Sequence, residues 1–218
     1  DVSSRYTRRT PGEFEKIARY ILKTGQAKQG NYMVFFPSYK MMQQVYEVFW
    51  ELNNDEMECI IQQSGMKEEE REEFLGEFCR ERGKTLIAFC VMGGIFGEGI
   101  DLKKEQLIGA IIVGTGIPQI SNEREILMNY YDKRSGEGFD YAYRYPGMNK
   151  VLQAAGRVIR TVEDIGVIEL LDERFMQSDY RKLFPKEWEN RKSCSIDSVE
   201  SYLEQFWKSK EMTGNELP

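Results

Sequence analysis

The sequence predicts an α/β protein: a mainly parallel sheet with helices on both faces. Three observations carry that prediction. Short apolar runs recur at 32–36, 57–61, 85–91, 107–113 and 166–171, mostly without the polar alternation of a half-exposed strand, as expected of strands buried on both faces. Segments with apolar residues at helical spacing lie between them, so strands and helices alternate along the chain. No Pro/Ser-rich linker and no internal repeat breaks the 218 residues, so a single domain is expected over 1–218.

Each element has a local reason. Thr10-Pro11-Gly12-Glu13 is a capping box with proline at the first helical position. Phe14, Ile17, Ala18, Ile21 and Leu22 follow at helical spacing, and Gly25 is expected to end that helix. Tyr32–Phe36 is an unbroken apolar strand closed by Pro37. Ser38 caps the next helix, whose apolar side is Met42, Val45, Tyr46, Phe49 and Leu52. Met57–Ile61 is a weaker strand. Lys67–Glu73 reads as a solvated acidic helix face; Phe74, Leu75, Phe78 and Cys79 give that helix its buried side, and Gly83 is expected to end it. Thr85–Val91 and Leu107–Val113 are strands, with a glycine-rich loop, Gly93–Gly99, after the first. A helix is expected over Asn122–Lys133, then a Gly- and Tyr-rich loop with a short helical turn over Arg134–Tyr145, then a helix over Met148–Arg160. Gly166–Leu171 is the last strand. Ser195 or Asp197 caps a final helix buried through Val199, Leu203, Phe206 and Trp207, and Met212–Pro218 should fray.

Composition excludes several chemistries. There is no histidine, which removes a Ser-His-Asp triad, a Cys-His dyad and every histidine-bearing metal site. Cys59, Cys79, Cys90 and Cys194 show no C-x-x-C spacing, which argues against a zinc ribbon or iron–sulfur cluster within this chain. They read as free thiols of a cytosolic protein, mostly small core residues. No apolar run reaches the roughly 18–20 residues of a membrane span. The net charge is −6, so a nucleic-acid contact must use a local basic stripe. The chain begins at Asp1 rather than Met, and is read as a piece of a longer protein.

Two stretches carry chemistry. Gln153-Ala154-Ala155-Gly156-Arg157-Val158-Ile159-Arg160 reads Q-x-x-G-R-x-x-R. On a continuous helix Gln153, Gly156, Arg157 and Arg160 share one side. Two always-charged guanidinium forks there suit a phosphate, and Gly156 permits close approach to the backbone. The plainer reading is a solvated basic patch at a helix end. The second stretch, Gly93-Gly94-Ile95-Phe96-Gly97-Glu98-Gly99-Ile100-Asp101, follows a strand. Its glycines allow positive φ; Glu98 and Asp101 suit ribose hydroxyls, a metal shell or the orientation of Arg157 and Arg160. A dinucleotide fingerprint fails, because Leu102 stands where the third glycine belongs. Gly83-Lys84-Thr85 is a decoy for a phosphate-binding loop. Phe78 occupies its required first glycine, and there a helix precedes and a strand follows, the reverse of that motif.

Taken together, these segments resemble the second motor domain of superfamily 2 helicases, and specifically the DinG/XPD branch. Tyr32–Tyr39 resembles its motif IV, ending F-F-x-S-Y; Gly94–Asp101 resembles motif V, with the core Glu98-Gly99-Ile100-Asp101; Gln153–Arg160 resembles motif VI. Gly116-Ile117-Pro118, Asp164-Ile165-Gly166 and Asp172-Glu173-Arg174-Phe175 match short segments of the branch in the same order. The resemblance implies a RecA-like three-layer sandwich, with ATP and Mg2+ held in a cleft shared with a first motor domain. That domain would bear the phosphate-binding loop, the D-E-A-H-type box and, in this branch, usually an iron–sulfur cluster. It implies Arg160 as arginine finger, Arg157 as a second γ-phosphate contact and Gln153 as a positioner of water or phosphate. Glu98, Gly99, Asp101 and Gly156 would complete the nucleotide side. Single-stranded DNA would pass over the opposite edge, along Ser38, Tyr39, Gly93, Gly94 and the loop to Phe96, although Tyr39 also reads as a local helix-start residue and Phe96 as core. Residues 1–10 would be an arm from the preceding domain, and Arg5–Arg9 either part of that connection or a basic contact to DNA. The whole protein would be a 5′–3′ DNA helicase, inactive as this half alone, with no membrane partner. A non-catalytic RecA-like module that docks nucleic acid or protein is the alternative.

Overall fold

The computed structural model describes residues 1–96, 102, 106–161 and 164–214. Five strands form one sheet: β1 (Asn31–Phe36), β2 (Glu58–Ile61), β3 (Leu86–Val91), β4 (Gly109–Val113) and β5 (Val167–Leu171). Their order is β2-β3-β1-β4-β5, and every pairing is parallel. Parallel neighbours need long crossovers: α2 (Tyr39–Asn53) lies between β1 and β2, α3 (Glu68–Gly76) between β2 and β3, and α4 (Asn122–Ser135) and α5 (Tyr145–Ala155) between β4 and β5, while α1 (Pro11–Ala27) precedes the strands and the short α6 (Ser178–Arg181) and α7 (Val199–Gly214) follow them.

The strand sequences decide which side chain goes where. Successive residues of a strand point to opposite faces. Tyr32, Val34 and Phe36 therefore join Phe89 and Ile111 under α1 and α2, with Trp207 of α7 in the same cluster. Met33 and Phe35 join Ala88, Cys90, Ala110 and Ile112 under α5, with Phe74 of α3. All six residues of β1 are buried, as a central strand covered on both faces must be. This is the parallel α/β sheet with helices on both faces expected from the strand and helix alternation, and it agrees with the RecA-like fold that the resemblance implied.

Several boundaries differ from the sequence reading. α1 runs past Gly25 to Ala27. A Cβ at Gly25 would come within 2.6 Å of Met57 Sδ, so this glycine makes room for a neighbour instead of ending a helix. α3 stops at Gly76 and tightens into a 3-10 turn, Glu77–Cys79, well before Gly83. Cys79 is exposed, not part of the buried side. The expected loop over 134–145 is largely helical: a π turn, Asp140–Arg144, runs directly into α5. The reason lies in contacts from α4. Pro146 has no N–H to give to the Ala142 carbonyl four residues back, and Arg124 Nη1 donates to that carbonyl instead at 2.6 Å. Asp132 Oδ1 accepts from Gly138 N at 2.8 Å, and Tyr131 stacks on Tyr141 with centroids 4.0 Å apart.

Candidate functional site

α5 is the ruler against which the site is measured. Its first turn lies against the loop after β4: a Cβ on Gly147 would sit 2.6 Å from Thr115 O, and one on Gly116 would sit 2.5 Å from Gly147 O. Its far end leads to Gly166, whose Cα packs against Val158 and the Ile108 carbonyl at the start of β4. The helix thus runs from the C-terminal edge of the sheet to the N-terminal edge. Eleven residues at about 1.5 Å each separate the two ends by about 16 Å.

The arginines lie at the second end, in a geometry that the motif spacing did not foreshadow. α5 stops at Ala155, so the expected helix over 148–160 is cut short. Gly156 occupies the C-cap, and i to i+3 bonds tighten the exit: Arg157 N donates to Ala154 O at 3.3 Å and Val158 N to Ala155 O at 3.2 Å. Val158 is buried and anchors the turn, while Arg157 is half-buried and Gln153, Gly156 and Arg160 are exposed. Arg160 therefore does not share a helix face with Gln153. Its position is set by Asp164, whose Oδ2 accepts from Arg160 N at 2.9 Å and Thr161 N at 2.8 Å. Those two amides hold the Asp164 carboxyl below the ordinary range. The aspartate of the short D-x-G segment thus fixes the backbone beneath the second arginine. Glu98, Gly99 and Asp101 lie outside the described residues.

The nucleic-acid candidates lie at the other edge. Ser38 follows β1; its hydroxyl accepts from Met41 N at 3.3 Å as the α2 cap, which leaves its proton free to donate outward. Tyr39 is 38% exposed. Gly93 follows β3 at φ +70°, a conformation that favours glycine. A Cβ there would press on the Lys150 side chain at 3.1 Å, so α5 reaches this loop too. The sequence reading missed Gln62, which ties these residues together. Buried just past β2, it donates from Nε2 to Tyr39 Oη at 2.9 Å and accepts Val91 N on Oε1 at 2.8 Å. Gly94 N in turn donates to Val91 O at 3.2 Å, and a Cβ on Gly94 would crowd Gln62 Nε2 at 3.2 Å. Gln62 opens the polar run Gln62-Gln63-Ser64 that ends the apolar stretch of β2, and nothing in that run sets it apart from its neighbours. Burial raises the Tyr39 hydroxyl's pKa above its usual value, with the Gln62 bond opposing. Phe96 is fully buried and stacks on Phe74 at 4.4 Å, so it belongs to the core and not to an exposed track. It shares that core cluster with Leu102, Val151, Ala154, Ala155 and Val158. Phe96 and Leu102, after β3, and the helix that leads to the arginines therefore cover the same face of the sheet.

Residues 21–191 match the model of the helicase C-terminal domain. The chain belongs to that family. It is a C-terminal domain of the XPD/DinG type, as its relatives show. It is 28% identical over 186 residues to the ATP-dependent DNA helicase XPD of Sulfolobus acidocaldarius, covering 84% of this chain and 32% of that protein. It is 27% identical over 202 residues to the bovine (Bos taurus) regulator of telomere elongation helicase 1, covering 84% of this chain and 16% of that one. Two solved structures, titled XPD_APO and XPD_Helicase, are each 25% identical, with TM-scores of 0.67 and 0.68; each match covers 84% of this chain, and 36% and 32% of theirs. The domain thus spans roughly a third or less of the length of these relatives. Among its described residues, no helix is long and apolar enough to cross a membrane.

Proposed function

We propose that this helicase C-terminal domain is one jaw of a DinG-like, ATP-driven motor that moves 5′ to 3′ on single-stranded DNA. The observation that supports this most is the division of labour along α5. Its C-terminal end carries Gln153 and leads into the turn with Gly156, Arg157 and Arg160, while Lys150 at its middle contacts the Gly93 loop near Tyr39. The arginine end suits a triphosphate. Two guanidinium forks there can grip phosphate oxygens bidentately, and the turn beneath Arg160 is pinned by Asp164.

In this reading Mg2+–ATP is held mainly by a first motor domain, which in this branch usually bears an iron–sulfur cluster as well, and ATP would supply the γ-phosphate whose transfer to water drives movement. Arg160 places positive charge on the transferring group, Arg157 contacts the same phosphate from its half-buried position, and Gln153 orients water. Gly156 keeps the approach clear of side-chain atoms. Glu98, Gly99 and Asp101 connect the nucleotide side with the loop that holds the strand. At the other edge the Ser38 hydroxyl, Tyr39 and the Gly93 and Gly94 backbone position phosphates without reading bases.

The test uses the longer protein in a DNA-stimulated hydrolysis assay. Arg160→Ala is expected to lower turnover by roughly 10³-fold or more, as loss of such a finger does, while nucleotide affinity stays within about threefold. This domain by itself is expected to hydrolyse nothing measurable. Equal turnover in mutant and wild type removes the finger assignment. Robust turnover by the domain by itself removes the shared-site reading, and failure to bind any single strand leaves the docking-module alternative.

A further inference from the structure

A second set of cations lies at the C-terminal edge of the sheet, away from Arg157 and Arg160. Residues 1–10 fold back across this edge. Glu173 N donates to Val2 O at 2.7 Å, Ser4 N to Asp172 Oδ2 at 3.0 Å, and Ser4 Oγ to the same oxygen at 2.6 Å. Tyr6–Arg8 then make a 3-10 turn, which brings Arg5 and Arg9 over Pro37 and the loop after β4. A cavity of about 170 Å³ opens to solvent there; Arg5, Arg9, Arg174, Thr115 and the Gly116 backbone are on its wall, and no carboxylate is.

Two of the three arginines have carboxylate partners. Arg174 Nε donates to Asp172 Oδ1 at 2.7 Å and its Nη2 to Ser4 Oγ at 2.8 Å; Arg5 pairs with Glu173 at 3.4 Å. Arg9 differs. Its Nε donates to the neutral Ser4 carbonyl at 3.2 Å and its guanidinium lies over the Tyr6 ring at 5.6 Å, with no carboxylate beside it among the described residues. Burial, with the Arg174 charge adding to it, lowers the Arg9 pKa from its usual value. A separate observation points the same way. Thr115 is 1% exposed, lines this cavity, and its hydroxyl has no hydrogen-bond partner. A buried hydroxyl without a partner is unfavourable, and Thr115 shares this wall with three arginines, whose charge would attract an acceptor.

We infer that this cavity is a phosphate-binding site in which Arg9 and Thr115 are the groups waiting for an anion. Guanidinium forks and a hydroxyl donor are the chemistry of a phosphate oxygen. That chemistry is shared by a backbone phosphodiester of a nucleic-acid strand and by a free phosphate. The inference needs no nucleotide at the arginine turn, so it stands or falls separately from the hydrolysis experiment above.

The test titrates the domain with inorganic phosphate at constant ionic strength, following the Thr115 methyl and the arginine Nε–H signals by NMR. A saturable shift of both is expected. Arg9→Gln and Thr115→Val should each weaken binding about tenfold, the loss of one charge-assisted bond. Arg8→Gln, an exposed arginine outside the cavity wall, should leave it unchanged. Thr115→Val should also melt no lower than wild type, since it removes a hydroxyl that the free protein leaves unpaired. A short oligothymidylate without terminal phosphates is then added. Displacement of the bound phosphate identifies a strand as the source, and phosphate that stays bound identifies a free phosphate. Absence of saturation, or equal effects of Arg8→Gln and Arg9→Gln, would mean diffuse positive charge and overturn the site.

Discussion

Glu169 stands on β5 with its carboxyl turned under α1, and burial raises its pKa to about 7. The residue is partly covered as a whole, yet its Oε1 is sealed from solvent and has no partner; only Oε2 receives the Thr24 hydroxyl, at 2.8 Å. The folded state therefore holds this proton more tightly than the unfolded chain does. The stability it adds is full below the ordinary carboxylate range and is lost as pH rises through about 7. A tenfold difference in proton affinity between the folded and unfolded states is worth about 1.4 kcal/mol, and partial solvent access reduces the total to about 2 kcal/mol. Glu169→Gln keeps the Thr24 bond and removes the charge. Urea unfolding should find the variant about 2 kcal/mol more stable than wild type at pH 8 and nearly equal at pH 4. Parallel curves at the two pH values would show that the carboxyl is solvated. Nothing in the sequence announced this group, because a lone glutamate in Val167–Leu171 reads as the exposed side of a strand.

Elements built on apolar period were legible, and those built on a single polar or steric contact were not. The five strands appear within a residue or two of their expected ends, because an unbroken Tyr32–Phe36 or Leu107–Val113 has few other places to go. α5 is the counter-example. Its start depended on Arg124 reaching the Ala142 carbonyl from another helix, and its end on Asp164 capturing two amides past Gly156. Neither contact has a sequence period. Gly147 shows the same limit. In the first turn of a helix, alanine normally improves on glycine by up to about 1 kcal/mol. Here a Cβ would meet Thr115 O at 2.6 Å and Ile117 N at 3.0 Å, both backbone atoms that cannot swing aside. Gly147→Ala should instead destabilise by about 1–3 kcal/mol, the range for an overpacked core. In a protein of this size that lowers the melting temperature by about 2–4 °C per kcal/mol. A rise in melting temperature on calorimetry would mean that α5 does not dock on the β4 loop this closely.

At the scale of the molecule, the chain's first residues are locked to its last strand. Asp172, 5% exposed, follows β5 and accepts from Ser4 N, Ser4 Oγ and Arg174. Burial alone would raise its pKa, but the Arg174 bond and charge, with the Ser4 hydroxyl, outweigh that and hold it below the ordinary carboxylate value. This lock joins residues more than 160 apart in sequence and brings Arg5 and Arg9 to the sheet edge, so the arm and the sheet should lose order together. A depressed carboxylate adds stability that is present above its unfolded pKa and is lost as pH falls, so the arm should loosen in acid. Asp172→Ala removes the acceptor and leaves the Arg174 guanidinium, 16% exposed, without its counter-charge, a change that costs about 3–5 kcal/mol when a buried pair is broken. Limited trypsinolysis reads the result directly, since Arg5, Arg8 and Arg9 are cleavage points that a docked arm shields. At neutral pH the variant should be cut in the arm well before wild type, while Lys40 on the solvent side of α2 serves as an internal control for global unfolding. Cleavage at both places in step would mean that Asp172 supports the whole sheet. Cleavage in the arm alone would place its effect at the lock, and the phosphate cavity, built from the same arm, should be lost with it.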